Sequence, residues 1–353
     1  MLEKRLPSVT SLERQQTTAS RYTLANTPLS SFLSYGRVKF SGSMFSSHLT
    51  PTMQTLEEPQ LLHPAPRAVS LPVSVIIPVR NEARNLPRCL ESLRGAGEIY
   101  VVDSGSTDET AEIARSFGAK VVQFHYLGGW PKKRQWAMDT LPLAYDWILL
   151  LDADEVLTPE SVEEIRQAVQ DRRYDGYYFA LRMYFLGRVL GHGDASFYTS
   201  PRLLRRGKGR FECRFKEQDA SMGDMEAHER VVVEGRTAKL QNPLVHHNVN
   251  SLSRYILKHD EYSNWEAQAW LAGESSYHDL PPALLGTQAQ RRRWLKKNCL
   301  AIPGSPLLFF LYKYFLRLGF LDGVPGLIYS GFQGIQFFHI KAKIYELRMK
   351  SEA

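Results

Sequence analysis

The sequence is short of several things, and each shortage excludes something. It has only three cysteines in 353 residues, Cys89, Cys213 and Cys299. They are far apart and lack metal-ligand spacing. Neither a disulfide scaffold nor a zinc ribbon is expected, and a reducing compartment fits. No run of about 20 uncharged apolar residues occurs, so no plain transmembrane helix is expected. Residues 1–20 lack the apolar stretch of a secretory signal, so none is expected. No acidic residue lies between Glu13 and Glu57, and residues 1–55 hold 18 Ser and Thr without a sustained hydrophobic period. Such a segment buries too little apolar surface to offset its ordering entropy. Residues 1–70 are therefore expected to be a disordered leader and linker, with four prolines between Pro59 and Pro72 marking the linker. The leader's composition fits an organelle transit peptide or a start placed too early, with Met44 or Met53 as the true beginning. The second is favoured because no clear amphipathic helix is present.

The net charge is +7, and it is unevenly placed. Residues 291–353 carry 11 Lys and Arg against 3 Asp and Glu, which leaves 33 against 34 for the rest of the chain. A nucleic-acid enzyme would spread basic residues around its site, so no nucleic-acid partner is expected.

Regular alternation begins at Val73. Val73–Val79 is a short, β-branched apolar run, as a buried parallel strand requires. A helix over Asn85–Arg94, a strand over Glu98–Asp103, a helix from a capping box at Ser106–Glu109 to Phe117, and a strand over Lys120–Phe124 follow. Then come a helix over Pro131–Leu141, a strand over Trp147–Leu151, and a helix capped by Thr158 with Pro159 in its first turn. Strand–helix alternation of this kind specifies a parallel α/β sheet with right-handed crossovers, and such sheets bind ligands at the carboxyl ends of their strands. After Gly176 the pattern becomes aromatic, short-stranded and rich in turns. From Leu252 helical patterns dominate, as in Leu252–Leu271 and Leu284–Lys297.

Three loops place acids at that carboxyl edge: Pro78-Val-Arg-Asn-Glu82, Asp103-Ser-Gly-Ser-Thr-Asp108 and Asp152-Ala-Asp154-Glu155. Two aspartates one residue apart, leaving a buried strand, can direct oxygens toward one point. Magnesium commonly takes one or two carboxylates plus phosphate oxygens, and a metal there would neutralise a departing diphosphate. The plainer alternative is solvated acids that cap the following helix. Lys132, Lys133, Arg134 and Gln135 follow Gly128-Gly129 and open a helix. They can contact phosphate, Lys133 or Arg134 foremost, or they form a solvated basic turn.

The segments VSVIIPVRNE, VVDSGSTDET and WILLLDADE, in that order, resemble a family 2 glycosyltransferase of the GT-A fold. Gly129–Ala137 and His228-Glu-Arg230 resemble the lipopolysaccharide-core β-glucosyltransferase branch of that family. The resemblance implies a Rossmann-like, mostly parallel sheet flanked by helices over residues 71–250. The helical, basic pattern after it is expected to form a membrane-associating extension over residues 251–353. It implies an inverting mechanism and a nucleotide-sugar donor, most often UDP-linked. Carried over by position, Pro78, Arg80 and Glu82 would line the nucleoside pocket and Asp103 would meet the base. Asp152 would face the ribose or diphosphate, and Asp154 would hold a divalent Mg or Mn. An inverting transferase needs one base to deprotonate the acceptor hydroxyl. Asp224, Glu226 and Glu229 are the candidates, and Glu229 is the choice by analogy with the branch. The chain lacks the commoner paired acid at this place, and Glu229 could instead pair with Arg230 or Arg202. Of the neighbours His246 and His247, which point in opposite directions on a strand, at most one can reach the metal or diphosphate.

The C-terminal segment alternates cationic clusters with aromatic and leucine-rich stretches: Arg291–Lys297, Pro306–Phe320, then Val324–Ile340 closed by Lys341 and Lys343. This describes an interfacial anchor, with Phe309, Phe310, Phe337 and Phe338 entering lipid. A packed helical pair or a dimer interface is the alternative. The whole is expected to be a cytoplasmic enzyme, peripheral on the inner face of the cell membrane, acting on a lipid-linked or cell-envelope glycan. Two other readings compete: a nucleotidyltransferase, opposed by the lack of glycine in Pro78–Glu82, and a catalytically inert nucleotide-sugar-binding protein, opposed by the intact Asp152 and Asp154.

Overall fold

The computed structural model describes residues 71–193, 199–214, 223–224, 226, 229–247, 251–273 and 279–352. The leader and linker expected over residues 1–70, and His228, lie outside the described residues.

Four parallel strands form the first half: β1 (Leu71–Val79), β2 (Ala96–Asp103), β3 (Lys120–Gln123) and β4 (Trp147–Leu150). β1 is flanked by β2 and β4, and β3 extends the sheet beyond β2. Side chains of a strand alternate between faces. Val73, Val75, Ile77 and Val79 therefore enter one core, while Ile76 enters another with Tyr100, Val102, Ile148 and Leu150. Both faces of β1 are covered, which is why its sequence is continuously apolar rather than alternating. Helices α1 (Leu86–Ser92), α2 (Thr110–Ser116) and α4 (Pro159–Ala168) supply Leu86, Leu90, Ala114 and Ile165 to the first core. Helix α3 (Lys133–Thr140) supplies Ala137 to the second. Full burial of each such Val, Leu or Ile contributes about 1.5–3 kcal/mol.

Thr158 caps α4 as expected, accepting from the Ser161 N–H at 3.2 Å. The capping box expected at Ser106–Glu109 does not form. Helix α2 begins at Thr110 without a side-chain cap, and the Ser106 hydroxyl donates to Asp103 at 2.6 Å instead. The Ser106 oxygen also accepts from the Asn81 N–H at 2.9 Å, so the acceptor role that a helix cap needs is given to the β1 loop instead.

Beyond β4 the sheet becomes mixed. Its strands are β5 (Glu155–Val156), β6 (Gly176–Phe185), β7 (Arg188–Val189), β8 (Thr199–Arg205), β11 (Thr237–Lys239) and β12 (Leu244–His247). The order is β3-β2-β1-β4-β8-β6-β12-β5, with β7 and β11 also paired to β6. β8 runs antiparallel between β4 and β6, and β12 pairs antiparallel with β5, setting His246 opposite Glu155. Strands β9 (Gly209–Phe211) and β10 (Val231–Val233) make a small antiparallel pair.

Four helices complete the described chain: α5 (Leu252–Ala272), α6 (Gln288–Ala301), α7 (Ser305–Leu311) and α8 (Gly323–Glu352). A π turn at Tyr312–Leu316 and a 3-10 turn at Gly319–Asp322 join α7 to α8. The join is tight: a Cβ on Gly326 would stand 2.1 Å from the Gly319 carbonyl oxygen. Buried Asp322 accepts from the backbone N–H groups of Gly191 and His192, and Lys313 donates to the Gly193 carbonyl at 3.1 Å, so the turn is latched to the segment after β7. Of the aromatics expected to face lipid, Phe337 is buried and stacks on Phe309 with ring centres 4.2 Å apart. Phe338 faces outward at 61% exposure, joined by Leu307, Phe315, Leu316 at 76% and Val324. Helical spacing sends neighbours to different faces, which the sequence reading of four phenylalanines together did not separate. No described helix is long and apolar enough to cross a membrane.

Candidate functional site

The carboxyl ends of β1, β2 and β4 open into one cleft of about 1490 Å³. All three expected loops reach it, through Pro78, Arg80, Asn81, Glu82, then Ser104 and Gly105, then Asp152–Glu155. The first two loops are stitched together. The Asn81 N–H donates to Ser106 Oγ at 2.9 Å, and the Thr107 N–H donates to Asn81 Oδ1 at 2.7 Å. Asn81 holds a left-handed backbone, φ +56°, which asparagine tolerates better than most residues.

Asp103 is buried beneath this turn. Its oxygens accept from Ser106 and from Gln123 Nε2 at 3.0 Å, and the turn residues Ser104 and Gly105, not Asp103, line the cleft. Glu82 accepts from Asn85 Nδ2 at 2.7 Å and from Arg254 at 3.2 Å, and burial raises its carboxyl above the ordinary value.

The Asp-x-Asp pair diverges. Asp152 lies between two guanidiniums, Arg134 and, at 3.2 Å, Arg202. Withdrawal from solvent would raise its carboxyl, but Arg134 and Arg202 outweigh that and hold it far below the ordinary range. Asp154 meets His246 Nε2 at 3.1 Å. Desolvation opposes its charge, and the imidazole more than compensates, so its pKa falls. The same pairing outweighs burial at His246 and lifts it to about 8. Glu155, fully buried, accepts from Arg202 at 2.6 Å and from the Asp152 N–H at 3.0 Å, and burial pushes it up to about 7. His247 turns away and packs against Tyr184, so one of the two histidines serves the cleft, as the strand's alternation requires.

The basic residues that open α3 face inward, each with an acid. Lys132 Nζ meets Glu229 at 3.0 Å, and Lys133 Nζ meets Asp224 at 2.9 Å and the Val79 carbonyl at 3.0 Å. Arg134 bridges Asp152 and the Glu226 carbonyl. The plainer reading of these residues as a solvated turn is therefore wrong: Lys133 has no exposed surface. Burial lowers the Lys133 ammonium despite Asp224, and Lys133 in turn outweighs burial to lower Asp224. Among the three base candidates Glu226 has a separate task. Its two oxygens accept from the N–H groups of Arg134 and Gln135 at 3.0 and 2.8 Å, so it satisfies the free end of α3. Glu229 and Asp224 line the cleft as members of lysine pairs.

Sequence reasoning missed the role of Arg202, which crosses from β8 to hold Asp152 and Glu155. It also missed the wall made by α5, where Arg254, Lys258, Tyr262 and Trp265 line the cleft. Their spacings of four, four and three residues put them on one helical face, a signal present in the sequence but read only as a helical pattern. Among the described residues, no three His, Cys, Asp or Glu side chains are placed to hold a metal by themselves. Asp154 and His246 are a carboxylate and an imidazole side by side, and they fit a cation whose other ligands come from phosphate and water.

Residues 74–232 match the family model described as glycosyl transferase family 2. The chain is 28% identical over 284 residues to the lipopolysaccharide core biosynthesis glycosyltransferase LpsC of Rhizobium meliloti (strain 1021), spanning 78% of this chain and 93% of that one. It is 41% identical over 106 residues to an uncharacterized glycosyltransferase of Rickettsia bellii (strain RML369-C), 30% of this chain and 35% of the relative. Among solved structures it is similar to S. aureus TarS 1-349 in complex with UDP-GlcNAc, at 15% identity and a TM-score of 0.38, over 79% of this chain and 92% of that one.

Proposed function

The chain is a family 2 glycosyltransferase of the GT-A fold, and from that premise we propose that it moves a sugar, with inversion, from a nucleotide-sugar donor to a cell-envelope glycan of the lipopolysaccharide-core kind. The observation that carries this reading is the meeting of the three strand-end loops in one cleft with the Asp154–His246 pair at its base. Pro78, Arg80 and Glu82 line the nucleoside end, and Asp103 shapes the turn, Ser104-Gly105, that faces the base, which is read as uracil. Asp154 and His246 would hold Mg or Mn, and that cation would neutralise charge on the diphosphate when bound. Lys133 and Arg134 act through the acids they fix, Asp224 and Asp152. Glu229 is the proposed base. It lines the cleft across from the metal loop, and Lys132 fixes its position at 3.0 Å.

The acceptor is read as lipid-linked, and the partner surface as an anionic membrane met at its cytoplasmic face. What supports this is the outward row Leu307, Leu308, Phe315, Leu316, Val324 and Phe338 beside the basic surplus of residues 291–353. The test is a donor screen with Mg or Mn, reading the product. A nucleoside diphosphate supports transfer, pyrophosphate would mean nucleotidyl transfer, and neither would mean a binding protein. Full activity in excess chelator would remove the metal from the reading.

A further inference from the structure

The cations on the sheet side of the cleft, buried Lys132, Lys133 and Arg134 and half-buried Arg202, each face a carboxylate at 3.2 Å or closer. None has its charge left over for a ligand. The α5 wall is different. Arg254 is spent on the β1 loop, donating to the carbonyls of Arg80 and Asn81 at 3.3 and 3.0 Å and to Glu82 at 3.2 Å. That contact anchors the start of α5 against the nucleoside end of the cleft. One turn further on the same face stands Lys258. Its side chain is exposed, it lines the cleft, and its ammonium lies 5.8 Å from the centre of the Tyr262 ring. Among the described residues no carboxylate is within ion-pair distance of it. Tyr262, and beyond it Asp154, Asp152 and Glu82, still act on this ammonium and raise its pKa, so it is charged and faces the Asp-x-Asp region.

From this juxtaposition we infer that Lys258 is a catalytic residue that binds the donor's diphosphate from the α5 side, opposite Asp154 and His246. The inference rests on the donor reading above. In the transfer, the bond from the anomeric carbon to the diphosphate oxygen breaks and its electron pair goes to that oxygen. The acceptor hydroxyl oxygen forms the new bond to carbon, and its proton passes to Glu229. The leaving diphosphate gains negative charge as this happens, and an ammonium with no carboxylate in ion-pair range among the described residues meets that charge as it develops. A paired cation such as Arg134 would first have to leave its acid, which costs the pair's own stabilisation.

The test compares a nucleoside diphosphate with its bare nucleoside. The wild-type chain is titrated calorimetrically with uridine, guanosine, cytidine and adenosine diphosphates, with Mg and then with chelator. The diphosphate that binds, and its nucleoside, are titrated against Lys258→Met and Lys258→Arg. Loss of one charge-assisted contact should weaken diphosphate binding in Lys258→Met by about tenfold to a hundredfold and leave nucleoside binding unchanged. Lys258→Arg should retain most of the affinity. Equal weakening of both ligands would mean that Lys258 only shapes the cleft, and unchanged diphosphate binding would mean that it meets no phosphate. Either result overturns the inference while leaving the donor reading intact. If the wild-type chain binds none of the four diphosphates, the donor reading itself falls and this inference falls with it. An unchanged melting temperature checks that Lys258→Met is folded.

Discussion

The sheet and the C-terminal helices use the same kinds of residue to opposite ends. In the sheet region apolar side chains are turned inward, with Val73, Ile76, Ile77, Phe179 and Leu203 fully buried, and the interior charges are matched acid to base. In the helical region Leu307, Phe315, Leu316, Val324 and Phe338 are more than half exposed, and Lys258 has no carboxylate within ion-pair distance among the described residues. One region is finished by its own contacts. The other leaves both apolar surface and charge available to something else. A protein that had to stand alone in water would gain by exchanging those leucines for polar residues, so their exposure points to use rather than to folding.

The comparison can be broken by removing one large side chain from each region. Phe179→Ala, in the buried strand β6, should cost about 3–5 kcal/mol, whereas Leu316→Ala should stay within about 0.5 kcal/mol. Urea denaturation measures both, and a similar cost for the two would mean that the helical surface is structural after all. The matched charges can be tested by pH. Glu155 is lifted from 4.5 to about 7, so the folded chain holds that proton more tightly than the unfolded one. Its stabilisation is present below pH 4.5 and is lost as pH rises through 7. His246 is lifted from 6.5 to about 8, so its contribution is present below pH 6.5 and lost as pH rises through 8. Asp152 and Asp154, both lowered, give stability above pH 3.8 that is lost on acidification. Stability should thus be greatest near pH 5 and fall by roughly 3 kcal/mol toward pH 8 in the absence of divalent metal. A flat profile between pH 5 and 8 would contradict the assigned environments.

Function sharpens the contrast further. Asp154→Asn should lower turnover by about a hundredfold, equivalent to ~2.7 kcal/mol, while circular dichroism stays unchanged. Comparable turnover would take the metal role from Asp154. The smallest effect belongs to the outer surface. Phe315→Ser with Leu316→Ser should leave soluble-substrate turnover unchanged and weaken sedimentation with anionic vesicles about tenfold, persisting in high salt where charge attraction is screened. Vesicle binding unaffected by both substitutions would move the contact elsewhere.

What the sequence made legible was local and periodic. The order β1 to β4 with its helices, the Thr158 cap and the convergence of three loops all follow from patterns within about ten residues. Pairings across the chain were not visible that way. Ser106 reads as a helix cap because Thr107-Asp-Glu follows it, and only the meeting of the β1 and β2 loops shows that its oxygen accepts from the Asn81 N–H instead. Lys132–Arg134 read as phosphate contacts or a solvated basic turn because their acids lie some ninety residues later, at Asp224, Glu226 and Glu229, or on another strand at Asp152. Arg202 sits on a strand whose antiparallel entry between β4 and β6 has no sequence signal. Lys258 fell among helices read as an anchor, although its face of α5 looks into the cleft.

The place of strand β12 carries a temporal consequence. Asp154 leaves the ribosome long before His246, and the two meet only through the β5–β12 pairing, 92 residues apart in sequence. Closing so long a loop is entropically slow, and it cannot start until β12 has emerged. A chain synthesised only as far as β4 lacks half of the Asp154–His246 pair, and it also lacks Phe179, Leu203 and Leu244, which share the core of β1. The Asp154–His246 pair is therefore completed only late in synthesis.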